Sequence, residues 1–501
     1  MAPIFVGRKN ELATLDRLWI SGGAQFLVLY GRRRVGKTAL LVHWMRQSGR
    51  RSLYWVATAD SPVSQLRSFS QAVYNFANPS SPAPASFTYA SWEQAWQAVA
   101  RLAAGERLAL FIDDFTYLLD AEGRTPGIAS QLQNCWDRFL KDGNLLLGIS
   151  SSHPGMIKRE FLSDPAVHPA VLDAPLDGRT TAQLYLQPLP FGLTQAYFPY
   201  YSAGDRVALY AMFGGIPAYW ESVNGRQSVT QNIKQQLLTA NNLMQAEPRW
   251  LLQDFISEPH TYLAVLTALA NGARTPKEIA SYTGLPNVQA PKYLGVLNEA
   301  GFVERRTSVT AAPGGRAGHY QISDPYLRFY FRFLAGRQAQ LALGLQEQAF
   351  AEIDQHMTDF TGRHTWAELC QEWLLRASAK GKLPFNPDEI GSAWNGSTQI
   401  DVAGINATQK TLILGECQWT LSPVGRPALE ELIEEKTARV VPEQGNWRIF
   451  YLGFSRSGWK EETRAYQTRI VQRPPTGKNW QIVGLRLLDL QQVDQDLFMW
   501  S

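Results

Sequence analysis

Apolar residues along this chain fall into two rhythms, unbroken runs and side chains spaced three and four apart. Runs at 25–30, 52–57, 107–112 and 145–149 are nearly all apolar, as strands covered on both faces of a sheet must be. A further short strand is expected at Leu184–Leu186. Between the runs, Leu12, Leu15, Leu18 and Trp19 repeat at helical spacing. Helices are also expected through Phe76 and over 91–103, on either side of a Pro/Ser-rich stretch at 78–87. Strand alternating with helix predicts a parallel sheet with helices on its faces.

Beyond residue 191 the rhythm turns helical up to about 257. Paired glycines and a proline interrupt it at Phe213-Gly214-Gly215-Ile216-Pro217-Ala218-Tyr219-Trp220, a break that makes either a lid against a bound base or a tight helical corner. Three short helical runs follow, at 260–270, 276–282 and 288–300. A hairpin comes next, Gly301 to Arg306 and His319 to Ile322 around a Gly/Ala-rich tip. Three helices and a hairpin are the outline of a winged helix. The aromatic stripe Asp324 to Phe333 reads as a domain-joining helix, and 337–363 continues as amphipathic helix. The last 140 residues form a second α/β unit. Its helix carries Glu368 and Glu372 on one face, its strands lie at 398–403, 411–419 and 447–452, and a helix spans 427–439. The expected domains are 1–190, 191–257, 258–335 and 336–501.

Composition narrows the picture. Forty-eight basic against 44 acidic residues give a net charge of +4, so contact with nucleic acid requires a local patch. The would-be recognition helix offers only Lys292, whereas the hairpin offers Arg305, Arg306 and Arg316. DNA contact and docking of a protein partner both remain open for this module. Three scattered cysteines make neither a metal spacing nor a disulfide framework. No apolar run reaches the roughly 18–20 residues of a membrane span, and Met1-Ala2-Pro3-Ile4 opens no signal-peptide pattern. A cytoplasmic protein without membrane contact is expected.

The chemistry sits first at the end of the 25–30 run. Gly31-Arg32-Arg33-Arg34-Val35-Gly36-Lys37-Thr38 is G-x-x-x-x-G-K-[ST], after a strand and before the helix that opens Ala39-Leu40-Leu41. Its glycines allow backbone N–H groups to face phosphate oxygens, Lys37 reaches the β and γ phosphates, and the Thr38 hydroxyl suits Mg²⁺. ATP or ADP with Mg²⁺ is the implied cofactor. The strand 107–112 ends in Asp113-Asp114, where ligands bind in open α/β sheets. Asp113 is the expected Mg²⁺ partner and Asp114 the group that polarises the attacking water. The tip Ser150-Ser151-Ser152, with Ser151 as the candidate, holds that water or ends as a plain turn. Arg179 is either an arginine finger or a surface cation. In the last unit, Asp401 and Glu416 end neighbouring strands and could hold a second divalent metal.

These motifs resemble the archaeal-type ATPases of the STAND branch of AAA-related P-loop NTPases. The resemblance spans about residues 3–255, on Phe5-Val6-Gly7-Arg8, the Gly31 to Thr38 loop, Ile112-Asp113-Asp114, the serine tip and Gly214-Gly215-Ile216-Pro217. It implies that Gly31 to Ala39 bind the nucleotide, that Thr38 and Asp113 serve Mg²⁺, that Pro217 lies near the base, and that Arg179 sits in a Gly-Arg motif. A winged helix follows in that family. The C-terminal unit is similar to PD-(D/E)XK nuclease-like domains, which implies Asp401 and Glu416 as metal acids with Glu368 or Glu372 from the helix.

Two positions depart from the pattern. Asp114 stands where the family has glutamate, one methylene longer, which predicts slow turnover because about 1 Å of misplacement costs roughly a hundredfold. Gln418 stands where nucleases have lysine, unless Lys436 reaches in from the helix. The function expected is an ATP-binding and hydrolysing switch that couples nucleotide state to the winged helix and tail, acting on duplex DNA. The alternatives are an ATP-gated, metal-dependent DNA nuclease and a nucleotide-loaded scaffold that docks a protein partner. A finger acting in trans would imply a homo-oligomer.

Overall fold

The computed structural model describes residues 5–119, 127–153, 155, 157, 161, 176–239, 242–253, 259–311, 318–472 and 480–501. Met1 to Ile4, Arg316 and most of the Gly/Ala-rich hairpin tip lie outside the described residues. The chain divides into one unit of residues 1–188 with 216–218, and a second of 189–215 with 219–501.

In the first unit five strands, β1 (Gln25–Tyr30), β2 (Ser52–Val56), β3 (Leu108–Asp113), β4 (Leu145–Ser151) and β5 (Ala182–Tyr185), form one sheet in the order β2-β3-β4-β1-β5. Every pair in it is parallel. The residues of β3 and β4 are all buried, which is why these strands appear in the sequence as unbroken apolar runs. Packing between them is close enough that a Cβ on Gly148 would lie 2.4 Å from the Phe111 ring. Helices Pro62–Ala77 and Trp92–Gly105 start on Ser61 and Ser91, whose hydroxyls accept backbone N–H bonds. They bury Phe69, Val73, Trp96 and Val99 against Phe26, Trp55, Ile112 and Leu147. Each such side chain contributes about 1.5–3 kcal/mol by leaving water.

The second unit begins with Leu189 and the helix Ala203–Phe213, which a reciprocal Ser202–Asp205 capping box starts. Helices Pro259–Ala270, Pro276–Thr283 and Ala290–Glu299 precede an antiparallel hairpin of β6 (Val303–Thr307) and β7 (Gly318–Ile322). Leu266, Leu294, Phe302, Ile322 and Leu327 share one core there. In the aromatic stripe, Tyr326, Leu327, Phe329, Phe331 and Phe333 are all buried, so the stripe is packing.

The C-terminal sheet has five strands, two more than the apolar pattern predicts. They are β8 (Glu389–Asn395), β9 (Thr398–Asn406), β10 (Thr411–Gln418), β11 (Trp447–Ser455) and β12 (Trp480–Asp489), in the order β12-β11-β10-β9-β8. One side is parallel, β10 with β11 and β11 with β12, and the other side, β10 with β9 and β9 with β8, is antiparallel. β8 and β12 lie at the edges, where partly exposed faces dilute the apolar signal. Val207 of helix Ala203–Phe213 lies in one core with Trp373, Ile413, Phe454 and Leu497. A buried ion pair between Arg206 and Asp494 ties the same helix to the last one. Among the described residues no helix is long and apolar enough to cross a membrane.

Candidate functional site

The first site forms where β1 ends. Gly31 turns so close to the neighbouring chain that a Cβ would lie 2.5 Å from the Leu186 carbonyl oxygen. Gly36 adopts φ 101°, a conformation that side chains resist. A Cβ there would lie 3.7 Å from the Pro217 ring, so Pro217 flanks the loop. Val35 is buried beneath the loop, and its carbonyl accepts the Arg8 guanidinium at 2.9 Å. Arg8 is therefore a brace for the loop backbone. Arg34 is left-handed at φ 65° and exposed, and Arg33 donates to the Tyr117 hydroxyl at 2.9 Å. Arg32 offers its carbonyl to Lys37, and Ala39 lies exposed in the first turn of helix Lys37–Ser48.

Lys37 is 5% exposed. Its ammonium donates to the Gly31 and Arg32 carbonyls at 3.0 and 3.1 Å and to the Ser152 hydroxyl at 2.9 Å. Burial lowers its pKa to about 8, against the opposing pull of Asp113 and Asp114. The Thr38 and Tyr54 hydroxyls each donate to Asp113 Oδ2 at 2.5 Å, and the Ser150 hydroxyl donates to Oδ1. Asp114, left-handed at φ 51°, donates its N–H to Asp113 Oδ1 at 3.0 Å. Burial and then the Asp113 charge raise the pKa of Asp114, while Lys37, Arg33 and Ser152 pull it down.

These positions sharpen the sequence reading of the serine tip. Along β4 successive side chains face opposite ways, so Ser150 and Ser152 turn to Asp113 and Lys37. Ser151 instead accepts the His153 N–H at 3.0 Å and stands outside this cluster. Tyr54 was not foreseen, because only the β2–β3 pairing brings it beside Asp113. Arg179 clamps Asp137, with Nε and Nη2 at 3.0 and 2.8 Å from Oδ2, and this pairing raises its own pKa. The hard-oxygen donors Thr38 and Asp113, side by side, suit Mg²⁺ completed by phosphate oxygens.

The second group of predicted residues is arranged differently. The Lys436 ammonium contacts both Glu416 oxygens at 2.9 Å, so it does reach in from the helix. Gln418 donates to Glu416 at 3.4 Å, and Asp401 Oδ2 accepts the Cys417 N–H at 3.3 Å. Burial raises the pKa of both acids. The glutamates expected to join them do not. Glu368 pairs with Arg328 at 2.8 Å and Arg306 at 3.5 Å, and Glu372 pairs with Arg376 at 2.8 Å. Among the described residues no three His, Cys, Asp or Glu side chains stand together as metal ligands. Neither helix-borne glutamate therefore joins Asp401 and Glu416; each pairs with an arginine instead.

Residues 5–223 match the family described as an ATPase domain predominantly from Archaea. Over these residues the chain is similar to archaeal-type P-loop ATPase domains. Residues 330–435 match a second family, archaeal and bacterial proteins of unknown function. An uncharacterised protein of Methanocaldococcus jannaschii is 27% identical over 416 residues, 83% of this chain and 88% of the relative. An uncharacterised ATP-binding protein of the same organism is 55% identical over 38 residues, 8% of this chain and 64% of the relative. Among solved structures, a Walker-type ATPase of Pyrococcus abyssi is similar at 15% identity and a TM-score of 0.48, covering 66% of this chain and 96% of that one.

Proposed function

We propose that this ATPase-domain protein is a Mg²⁺-dependent switch that binds and hydrolyses ATP and passes its nucleotide state to the C-terminal unit. One observation carries the reading: Lys37, Thr38, Asp113 and Asp114 converge at the carboxyl ends of β1 and β3 with a cation, a hydroxyl and two acids. Lys37 would exchange the Gly31 and Arg32 carbonyls for the β and γ phosphates. Thr38 and Asp113 would hold Mg²⁺, which neutralises phosphate charge when bound. Asp114 would take the proton of the attacking water as its oxygen bonds to the γ phosphorus, while the β–γ bridging bond breaks and ADP leaves with the electron pair. The raised pKa of Asp114 makes it a stronger proton acceptor.

The readout rests on chain connectivity. Residues 216–218 group with the first unit, and Pro217 flanks the loop. The helix Ala203–Phe213 immediately before them shares a core with the C-terminal sheet. A shift of Pro217 upon nucleotide binding would thus pull on that helix. In this reading the three helices and β6–β7 are a winged helix whose hairpin arginines meet DNA, and the nuclease-like tail holds DNA without cutting it. The pairing of Glu368 and Glu372 with arginines favours holding over cleavage. The test is limited proteolysis and DNA binding with ADP against a non-hydrolysable ATP analogue. The reading expects two cleavage patterns and two DNA affinities, and identical behaviour in both nucleotides would remove it.

A further inference from the structure

A cavity of about 250 Å³ lies within the second unit, where the turn after helix Pro259–Ala270, the β6–β7 hairpin, the helical stretch from Gln346 to Trp366 and strands β8–β9 meet. Arg274, Arg306, Arg332 and Arg363 all line it. Two of them already have carboxylates: Arg363 pairs with Asp359 at 3.3 Å, and Arg306 shares Glu368 with Arg328. The other two meet neutral acceptors. Arg274 donates to the Gln399 side-chain oxygen at 2.9 Å and Arg332 to the Asn271 side-chain oxygen at 3.1 Å. A neutral amide satisfies a donor but cancels no charge. The remaining carboxylate in the wall, Asp401, accepts the Cys417 N–H and feels the Lys436 and Arg274 charges, so it offsets Arg274 only through space and only in part.

The histidines register the resulting field. Burial, reinforced by Arg328, Arg274, Arg363 and Arg306, pushes His364 down to about 2. His319 is lowered by burial and then by Arg274, and its ring stacks on Trp394 with centroids 4.6 Å apart. The cavity is thus a positive, aromatic-edged recess with arginine forks directed from two separate elements. Guanidinium forks match tetrahedral oxyanions by paired N–H bonds, and the volume is below the roughly 300–1,000 Å³ of pockets that hold larger ligands.

We propose that this cavity is a phosphate-binding site, with Arg274 and Arg332 as its principal donors, taking either a free phosphate ester or the terminal phosphate of a nucleic-acid strand. It is independent of the nucleotide loop, and the experiment keeps the two apart by using full-length Lys37→Ala protein. Calorimetric titrations use inorganic phosphate, AMP, and a short single-stranded DNA with either a 5′-phosphate or a 5′-hydroxyl. Saturable binding that weakens by about tenfold or more in Arg274→Gln and in Arg332→Gln is expected. Tighter binding of the 5′-phosphorylated strand than of AMP identifies a strand end, and the reverse identifies a free ester. Arg274→Lys, which keeps the charge, retains part of the affinity and serves if the glutamine variant does not fold. The proposal is overturned if no probe binds the folded protein, if the 5′-hydroxyl strand binds as well as the phosphorylated one while phosphate and AMP do not, or if the arginine variants bind unchanged.

Discussion

Two strand ends carry acids in this molecule, Asp113 on β3 and Glu416 on β10, and their surroundings differ in kind. Around Asp113 the close partners are hydroxyls, from Thr38, Tyr54 and Ser150, and the nearby lysine donates to backbone carbonyls. Neutral partners can be exchanged for a cation and a polyphosphate at modest cost. Around Glu416 the partner is the Lys436 ammonium itself, on both oxygens, and Glu368 and Glu372 are paired with arginines. Charge there is already neutralised within the protein. The same residue types in the same topological position therefore support ligand chemistry in one sheet and internal pairing in the other.

The largest effect that tests this contrast is loss of the ammonium. Lys37→Ala is expected to lower kcat/KM for ATP by about a thousandfold, with circular dichroism unchanged. ATP turnover that persists would place the activity elsewhere. Next comes the acid proposed to take the water's proton: Asp114→Asn should reduce kcat by about a hundredfold with nucleotide affinity retained. Asp114→Glu, which restores the missing methylene, should raise kcat, so slower turnover in that variant would show that the shorter acid suits this site.

A smaller effect follows from the lowered pKa of Lys37. Free Lys37 loses its proton above about pH 8, and ATP favours the protonated form. Affinity should therefore fall by up to about tenfold per pH unit above that point. In Lys37→Arg, whose charge persists, the fall should be absent, as fluorescent-nucleotide titration would record.

On the other side of the comparison, Lys436→Met strands two buried carboxyls without their cation. A stability loss of about 2 kcal/mol is expected, with ATP turnover intact. Because burial raises the Glu416 pKa, that carboxyl is protonated more readily in the folded protein than in the unfolded chain. The loss measured by urea unfolding should accordingly be greater at pH 8 than at pH 5. The smallest effect belongs to Arg179→Ala, which removes a partly exposed pair with Asp137 and should cost about 0.5 kcal/mol. A large drop in kcat in that variant would instead make Arg179 a participant in the reaction.

How far the sequence reached depended on whether a feature is local. Gly31 to Thr38, the acids closing β3 and the central strands are contiguous, so their chemistry and burial show in the residues themselves. The serine tip is visible in the sequence, but which of its hydroxyls faces the site depends on strand register, and Tyr54 reaches Asp113 from a neighbouring strand. Edge strands β8 and β12 were missed because half-exposed faces break the apolar run. The pairing of Glu368 with Arg328 and Arg306 joins segments 40 and 62 residues apart, a separation at which no spacing rule applies.

The most direct test of the nucleotide site is calorimetry with a non-hydrolysable ATP analogue on the wild type and on Thr38→Ala, with and without Mg²⁺. The account predicts saturable binding at one site per chain, strengthened by Mg²⁺ in the wild type and insensitive to it in Thr38→Ala. Binding that ignores Mg²⁺ in both proteins, or no heat in the wild type, would contradict it.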